Sequence, residues 1–151
     1  MNYFFDSSAL VKLYHPELGS PGVEAAFHKA NRRIVISRLA GVELHSALSL
    51  KTRTGRLAMA EAILLRTRFL ADVAAGAIVV VAIDESHYSI AENLIVQYGG
   101  RIGLRTLDAL QLAVALEINR RAGLDGFLVA DLALAEVAKA EGLVVMNPEQ
   151  P

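Results

Sequence analysis

The sequence of 151 residues contains no cysteine, and this absence excludes several kinds of site. Without a thiol there is no disulfide scaffold, no thiolate-bound zinc, no iron–sulfur cluster and no cysteine nucleophile. An excess of positive charge is also absent, because 15 basic residues stand against 16 acidic ones. No overall positive field is therefore available to attract a nucleic acid.

Long hydrophobic runs and leader-like features are missing too. The most apolar stretch, residues 73–83, is well short of the roughly 20 residues that a membrane-spanning helix needs. No basic segment precedes the apolar residues at the start. We therefore expect a cytoplasmic protein without a membrane association. Hydrophobic residues make up 54% of the chain, which excludes global disorder, and the length suits one domain, residues 1–151.

Short apolar runs alternate along the chain with longer segments of helical periodicity. We predict strands at residues 2–5, 33–36, 78–83, 127–130 and 143–146. We predict helices at residues 7–14, 21–31, 37–52, 56–75, 85–98, 106–121 and 132–141. This alternation predicts an α/β fold, a three-layer helix–sheet–helix sandwich with a short parallel sheet of about five strands. In such sheets ligands bind beyond the carboxyl ends of the strands, near a switch in strand order.

Four carboxylates are candidates for a site at that edge. Asp6 and Asp131 each directly follow a predicted strand, and Asp108 lies in the first turn of a predicted helix that starts at the same edge. Glu43 lies inside a predicted helix, where the spacing groups it with an apolar stripe that includes Leu39 and Ala47. An ionised glutamate on a core-facing stripe is costly unless it is paired or binds a cation.

Each carboxylate also has an ordinary structural interpretation. The three aspartates could cap helices or complement helix dipoles, and Glu43 could reach water from the edge of its stripe. Four carboxylates meeting at one edge would repel by ~1 kcal/mol per pair at 4 Å in water and ~4 kcal/mol at an effective dielectric of 20. A divalent cation removes that penalty, and oxygen donors favour Mg²⁺ or Mn²⁺ over Zn²⁺. Ser7 and Ser8 could orient the carboxylates or simply start a helix.

Four segments of the chain, taken in order, resemble a known family. They are residues 3–11 (YFFDSSALV), 37–44 (SRLAGVEL), 107–113 (LDALQLA) and 130–135 (ADLALA). Together they resemble the PIN-domain ribonucleases of the VapC toxin type, over nearly the whole chain. Two positions depart from the usual pattern: Val129 replaces a threonine or serine, and Gln111 replaces a histidine.

The resemblance implies a metal-dependent endoribonuclease that acts as the toxin of a toxin–antitoxin pair. It implies that Asp6, Glu43, Asp108 and Asp131 are catalytic and bind Mg²⁺ or Mn²⁺, with Ser7 supporting the metal site. It also implies a VapB-type antitoxin as partner, a homodimer, and structured RNA such as transfer or ribosomal RNA as substrate. The basic candidates for contacting RNA are Arg38, Arg53, Arg56 and Arg105.

Two other functions remain open from the sequence. A receiver-type phosphoacceptor domain also places acids at the strand ends of a parallel sheet, but it needs an acidic pair after its first strand and a lysine after a late strand. Here Asp6 is flanked by Phe5 and Ser7, and no lysine follows Lys139. A non-catalytic PIN-like binding module is the second alternative, and Val129 is the departure that would fit it.

Overall fold

The computed structural model describes residues 1–150 as a five-stranded parallel sheet between two layers of helices, which confirms the predicted architecture. The strands are β1 (Asn2–Phe5), β2 (Arg33–Ser37), β3 (Ile78–Val81), β4 (Gly126–Leu128) and β5 (Val145–Met146). The helices are α1 (Ser7–Tyr14), α2 (Ser20–Phe27), α3 (Arg38–Arg53), α4 (Met59–Ala74), α5 (Glu85–Leu94), α6 (Gly100–Ile102), α7 (Thr106–Ala122) and α8 (Leu132–Ala140). A π-helical turn, Ile95–Gly99, joins α5 to α6.

The strand order is β3-β2-β1-β4-β5, with every neighbouring pair parallel. The chain builds one half of the sheet outward from β1 to β3 and then returns to place β4 on the other side of β1. In register, Phe4 of β1 is paired with Val35 of β2 and with Phe127 of β4. The order of the strands therefore reverses between β1 and β4, and the carboxyl ends of these two strands mark the expected position of a ligand.

Both faces of the sheet are buried, because side chains of successive residues point to opposite faces. Phe4 stacks on Phe127 with 5.6 Å between ring centroids, in the cluster that α5, α7 and α8 cover. Tyr3 and Phe5 belong to the other cluster, under α1 to α4. This two-sided burial holds β1 rigidly at the centre of the molecule and thereby fixes the residue that follows it.

Two predicted helix ends are wrong. The helix after β3 does not stop at Gly99 and Gly100: both glycines keep helical backbone angles, and the helical path continues to Ile102. It ends at Gly103, whose φ of 76° lies in the left-handed region. The helix predicted at 21–31 ends at Phe27, and Asn31 has a φ of 55°, which a helix excludes. Within residues 1–150, no helix combines the length and the apolar character needed to cross a membrane.

Candidate active site

Asp6 ends β1 and begins α1. Its Oδ1 atom accepts hydrogen bonds from the backbone N–H of Ala9, at 2.9 Å, and from the Ser8 hydroxyl, at 2.6 Å. The residue is only 2% exposed. Burial raises the pKa of the Asp6 carboxyl from 3.8 to about 7, against these hydrogen bonds, and the charge of Asp108 adds to the rise. Asp6 therefore caps α1, and its burial makes the ionised form of the carboxylate unfavourable in the folded protein.

Asp131 begins α8 and lies close to the end of β4. Its Oδ1 atom accepts from the backbone N–H of Leu134 at 2.8 Å. Since β4 ends at Leu128, Asp131 does not directly follow the strand as predicted. The backbone N–H of Val129 still donates to Met146 at 3.1 Å, and the intervening residues carry Asp131 to the same edge as Asp6. The structural interpretation as a cap is thus correct for both Asp6 and Asp131, and it uses one oxygen of each.

Ser8 joins the ends of the two strands. Besides donating to Asp6, its hydroxyl accepts from the backbone N–H of Ala130 at 2.9 Å. The Val129 side chain is fully buried in the core and offers no polar contact at this edge. Ser8, rather than a residue of β4, therefore fixes the geometry between the two aspartates.

Asp108 lies in the first turn of α7 and is 7% exposed. Arg105 Nε donates to its Oδ2 at 2.8 Å, and Arg105 Nη2 reaches Asp131 Oδ2 at 3.4 Å. Burial raises the pKa of Asp108, the ion pair with Arg105 opposes the rise, and the charge of Asp131 adds to it. The guanidinium of Arg105 therefore lies between two of the candidate acids.

Glu43 belongs to α3, but not to the core face of that helix. The buried stripe consists of Ala40, Leu44 and Leu48, whereas Glu43 is half-buried beside it. The predicted placement on a core-facing stripe is wrong for this reason. Burial nevertheless raises the pKa of Glu43, with a hydrogen bond from Ser7 opposing the rise and the charge of Asp108 adding to it.

Gln111 holds Glu43 from the interior. Its Nε2 atom donates to Glu43 Oε2 at 2.6 Å and to Ser7 Oγ at 3.2 Å. The residue is fully buried, and its Oε1 atom has no hydrogen-bond partner among the described residues. Leaving a buried amide oxygen unpaired costs roughly 1–3 kcal/mol. The orientation of Gln111 that lets Nε2 bind Glu43 and Ser7 therefore carries the cost of the unpaired Oε1 atom.

The four carboxylates form one electrostatic group. The charge of Asp108 raises the pKa of both Asp6 and Glu43, and Asp131 does the same to Asp108. Asp6 and Asp131 use their Oδ1 atoms as caps, which leaves the Oδ2 atoms for other contacts. The donor set consists of hard oxygens whose mutual repulsion a divalent cation would relieve, so its chemistry fits Mg²⁺ or Mn²⁺. Within residues 1–150, however, no three acidic or histidine side chains are drawn tightly enough together to hold a metal ion as they stand.

An open cleft of about 650 Å³ adjoins this group. Its polar lining comes from Ser7, Ser8, Glu43, Ser46 and Arg105, and its remaining walls are apolar side chains of α1, α3 and α7. The cleft is open to solvent, unlike the enclosed pockets that bury most of a small molecule. Of the candidate residues, Glu43 and Arg105 therefore line this cleft directly.

A family model of the PIN domain matches residues 3–140. The chain belongs to the PIN domain family. No curated protein matches the chain significantly.

Several solved structures share the fold of this PIN domain. FitAcB from Neisseria gonorrhoeae is 17% identical, covers 99% of both chains and has a TM-score of 0.65. VapC20 of Mycobacterium tuberculosis, described as a Sarcin-Ricin loop cleaving toxin, is 17% identical with a TM-score of 0.65, over 94% of this chain and 96% of that one. VapBC2 from Rickettsia felis, bound to a DNA fragment from its promoter, is 15% identical with a TM-score of 0.64, over 97% and 98% of the two chains. At these identities the likeness shows the fold.

The four arginines predicted to contact RNA do not lie together. Arg105 lies among the carboxylates, and Arg38 begins α3 directly after β2 ends at the same edge. Arg53 ends α3, about 22 Å further along the helix axis at 1.5 Å per residue, and Arg56 follows it in the next loop. Arg53 and Arg56 are exposed, but they lie away from the carboxylate edge.

Two residues matter more in the structure than in the sequence. Gln111 stands three residues after Asp108, the helical spacing that puts both on one side of α7, and this spacing was the available signal. Ser8 is the side-chain partner of Asp6, whereas the resemblance implied a supporting role for Ser7. A serine two positions after an N-cap aspartate can reach back to its carboxylate.

Proposed function

We propose that this PIN domain is a Mg²⁺- or Mn²⁺-dependent endoribonuclease and the toxin component of a toxin–antitoxin pair. The observations that support it are geometric: Asp6 follows β1 at the switch in strand order, Arg105 contacts both Asp108 and Asp131, and Gln111 links Glu43 to Ser7. Membership of the PIN family supports it, as does the shared fold with VapC20, a toxin described as cleaving the Sarcin-Ricin loop.

The chain's own groups have separate roles in this proposal. Asp6, Asp108, Asp131 and Glu43 would hold the cation, while Ser7, Ser8 and Gln111 fix the orientation of the carboxylates. When bound, the cation would supply Lewis-acid activation of the phosphodiester and of the attacking water. In-line attack by water on phosphorus would break the P–O3′ bond, and the leaving O3′ would take up a proton, so that 5′-phosphate and 3′-hydroxyl ends result.

Substrate and partner contacts would use other surfaces. Arg38 and Arg105 would contact RNA phosphates next to the carboxylates, and Arg53 with Arg56 would contact a longer, structured RNA such as transfer or ribosomal RNA. Exposed apolar side chains cluster along α3 and α4: Val42, Leu50, Met59, Ile63, Leu64 and Leu70. Apolar patches on a protein surface mark interfaces, and here they would suit a VapB-type antitoxin or a second copy in a cytoplasmic homodimer.

The test is cleavage of purified RNA by the purified chain. We expect cleavage of total transfer and ribosomal RNA with Mn²⁺ or Mg²⁺, no cleavage in EDTA, and 5′-phosphate ends at the new termini. Asp108→Asn should abolish cleavage and leave the folded protein intact. Asp125→Asn is the matched control, because Asp125 accepts from the Asn2 N–H at the opposite edge of the sheet.

The outcomes separate the proposed function from its alternatives. Cleavage by Asp108→Asn at the wild-type rate, or undiminished cleavage in EDTA, contradicts a carboxylate-held metal. A stable acyl phosphate on Asp6 after incubation with a small phosphodonor would favour a receiver-type domain. Neither cleavage nor Mn²⁺ binding at millimolar concentration would favour a non-catalytic binding module.

A further inference from the structure

Arg105 lies between two of the acids that would hold a cation. It contacts Asp108 through Oδ2 and Asp131 through Oδ2. In Asp131 the other oxygen, Oδ1, is already used by the cap of α8. At Asp131 the guanidinium and a divalent cation would therefore need the same oxygen atom, Oδ2, and at Asp108 they would share one carboxylate.

The grip of Arg105 on these oxygens is weak. Its side chain is 71% exposed, and the second contact is 3.4 Å long. Exposed ion pairs of this kind contribute roughly 0–1 kcal/mol, because the guanidinium is well solvated when released. Asp6 and Asp108, by contrast, are buried, so their carboxylates have less freedom than the guanidinium. The positive charge of Arg105 is thus held loosely beside acids that a divalent cation would draw closer together.

We propose that Arg105 is a built-in counter-cation of the carboxylate edge, which competes with the divalent cation for Asp108 Oδ2 and Asp131 Oδ2. This inference rests on the proposed function. This role explains why the acids lie near each other without forming a tight cluster: the guanidinium neutralises part of their negative charge but does not draw all four together. Once displaced, the guanidinium remains beside the cleft, where its planar donors suit a phosphate oxygen of the RNA backbone.

Titration calorimetry with Mn²⁺ alone tests the competition. Arg105→Gln removes the competing charge, so we expect the Kd for Mn²⁺ to fall about twofold to fivefold. The matched control is Arg120→Gln, which removes the same charge near the other end of α7, about 20 Å away at 1.5 Å per residue. Its Kd should equal that of the wild type. An unchanged or weaker affinity in Arg105→Gln overturns the inference.

Arg105→Lys separates direct competition from a general field effect. Lysine keeps the positive charge but is a point charge without the planar donors that bridge two carboxylates. Direct competition predicts a Kd between those of the wild type and Arg105→Gln, whereas a Kd equal to the wild type would show a field effect and overturn the competition.

Thermal unfolding gives a second readout that does not depend on cleavage. Without metal, Arg105→Gln should unfold at a lower temperature than the wild type, because the carboxylates lose their counter-charge. Mn²⁺ should then raise its Tm by more than it raises that of the wild type. Equal Tm shifts in Arg105→Gln and the wild type would contradict the role of Arg105 but leave the proposed function standing. Mn²⁺ binding by none of the proteins would overturn both this inference and the proposed function.

Discussion

Replacing Asp6 with asparagine should stabilise the metal-free protein above pH 7 and abolish RNA cleavage. The two effects have one cause, since the burial that makes the ionised carboxylate costly is what a bound cation would offset. Asparagine keeps an Oδ1 atom that can accept from Ala9 N–H and Ser8, so the cap of α1 survives. The change therefore removes a charge while preserving the local geometry.

The size of the effect follows from the environment of Asp6. Its pKa rises from 3.8 to about 7, chiefly through burial. Because a tenfold change in proton affinity is worth about 1.4 kcal/mol, holding the ionised carboxylate in the fold costs up to about 4 kcal/mol. A buried amide also carries a desolvation cost, so we expect a gain of about 2–3 kcal/mol at pH 8.

The sign of the pH dependence is opposite to that of a salt-bridged aspartate. Between pH 4 and 7 the folded protein holds a proton on Asp6 that the unfolded chain has already lost. The stability from this proton is fully present near pH 4 and is lost as the pH rises through about 7. The advantage of Asp6→Asn over the wild type should therefore grow from pH 5 to pH 8.

Urea unfolding followed by circular dichroism, in EDTA at pH 5 and pH 8, measures this directly. Wild type, Asp6→Asn and the control Asp125→Asn are compared, and the same preparations are assayed for cleavage. A difference between Asp6→Asn and wild type that is the same at both pH values refutes the reasoning. So does an asparagine variant that is less stable than the wild type at pH 8 although its cap is intact.

Two further predictions concern the partners of the other acids. Gln111→Leu should lower cleavage about 10- to 100-fold, because Glu43 loses its anchor, yet change the free energy of unfolding by less than about 1.5 kcal/mol, because the unpaired Oε1 is removed as well. Asp131→Ser should abolish cleavage but leave the free energy of unfolding within about 0.5 kcal/mol of the wild-type value, because serine still caps α8. Asp131→Ala should abolish cleavage and also lower the free energy of unfolding by about 1 kcal/mol. Urea unfolding and end-labelled RNA cleavage check both, and an active Asp131→Ser would contradict the metal-ligand role.

The sheet and its edge could be predicted because their signals are local. The apolar run before Asp6 and the helical period after it gave β1 and α1 with the bounds that the structure has. Parallel pairing then follows from the alternation of strands and helices. The helix end at Gly103 could not be predicted in the same way. Three glycines occur between 99 and 103, and only the backbone conformation shows which of them is left-handed.

The contacts within the candidate site depend on tertiary structure and were less predictable. The helical spacing of apolar residues in α3 could not show which face of the helix packs on the core, because alanine and leucine occur on the faces to either side of Glu43. That Gln111 reaches Glu43, 68 residues away in sequence, depends on how α7 packs against α3. The ion pairs of Arg105 were equally hidden, since an arginine before a helix suggests a surface contact when only sequence is considered.

Capping a helix and binding a cation are often treated as competing explanations for an aspartate, but here they are compatible. A carboxylate has two oxygens, and in both Asp6 and Asp131 the Oδ1 atom accepts from the helix backbone. Serine caps a helix about as well as aspartate does but brings no charge and no second oxygen. If capping alone explained these positions, serine would serve equally at both, without the cost of burying a carboxylate at Asp6. The penalty at Asp6 is therefore the better guide to function, because a cation held by the second oxygen would offset it while the carboxylate stays ionised.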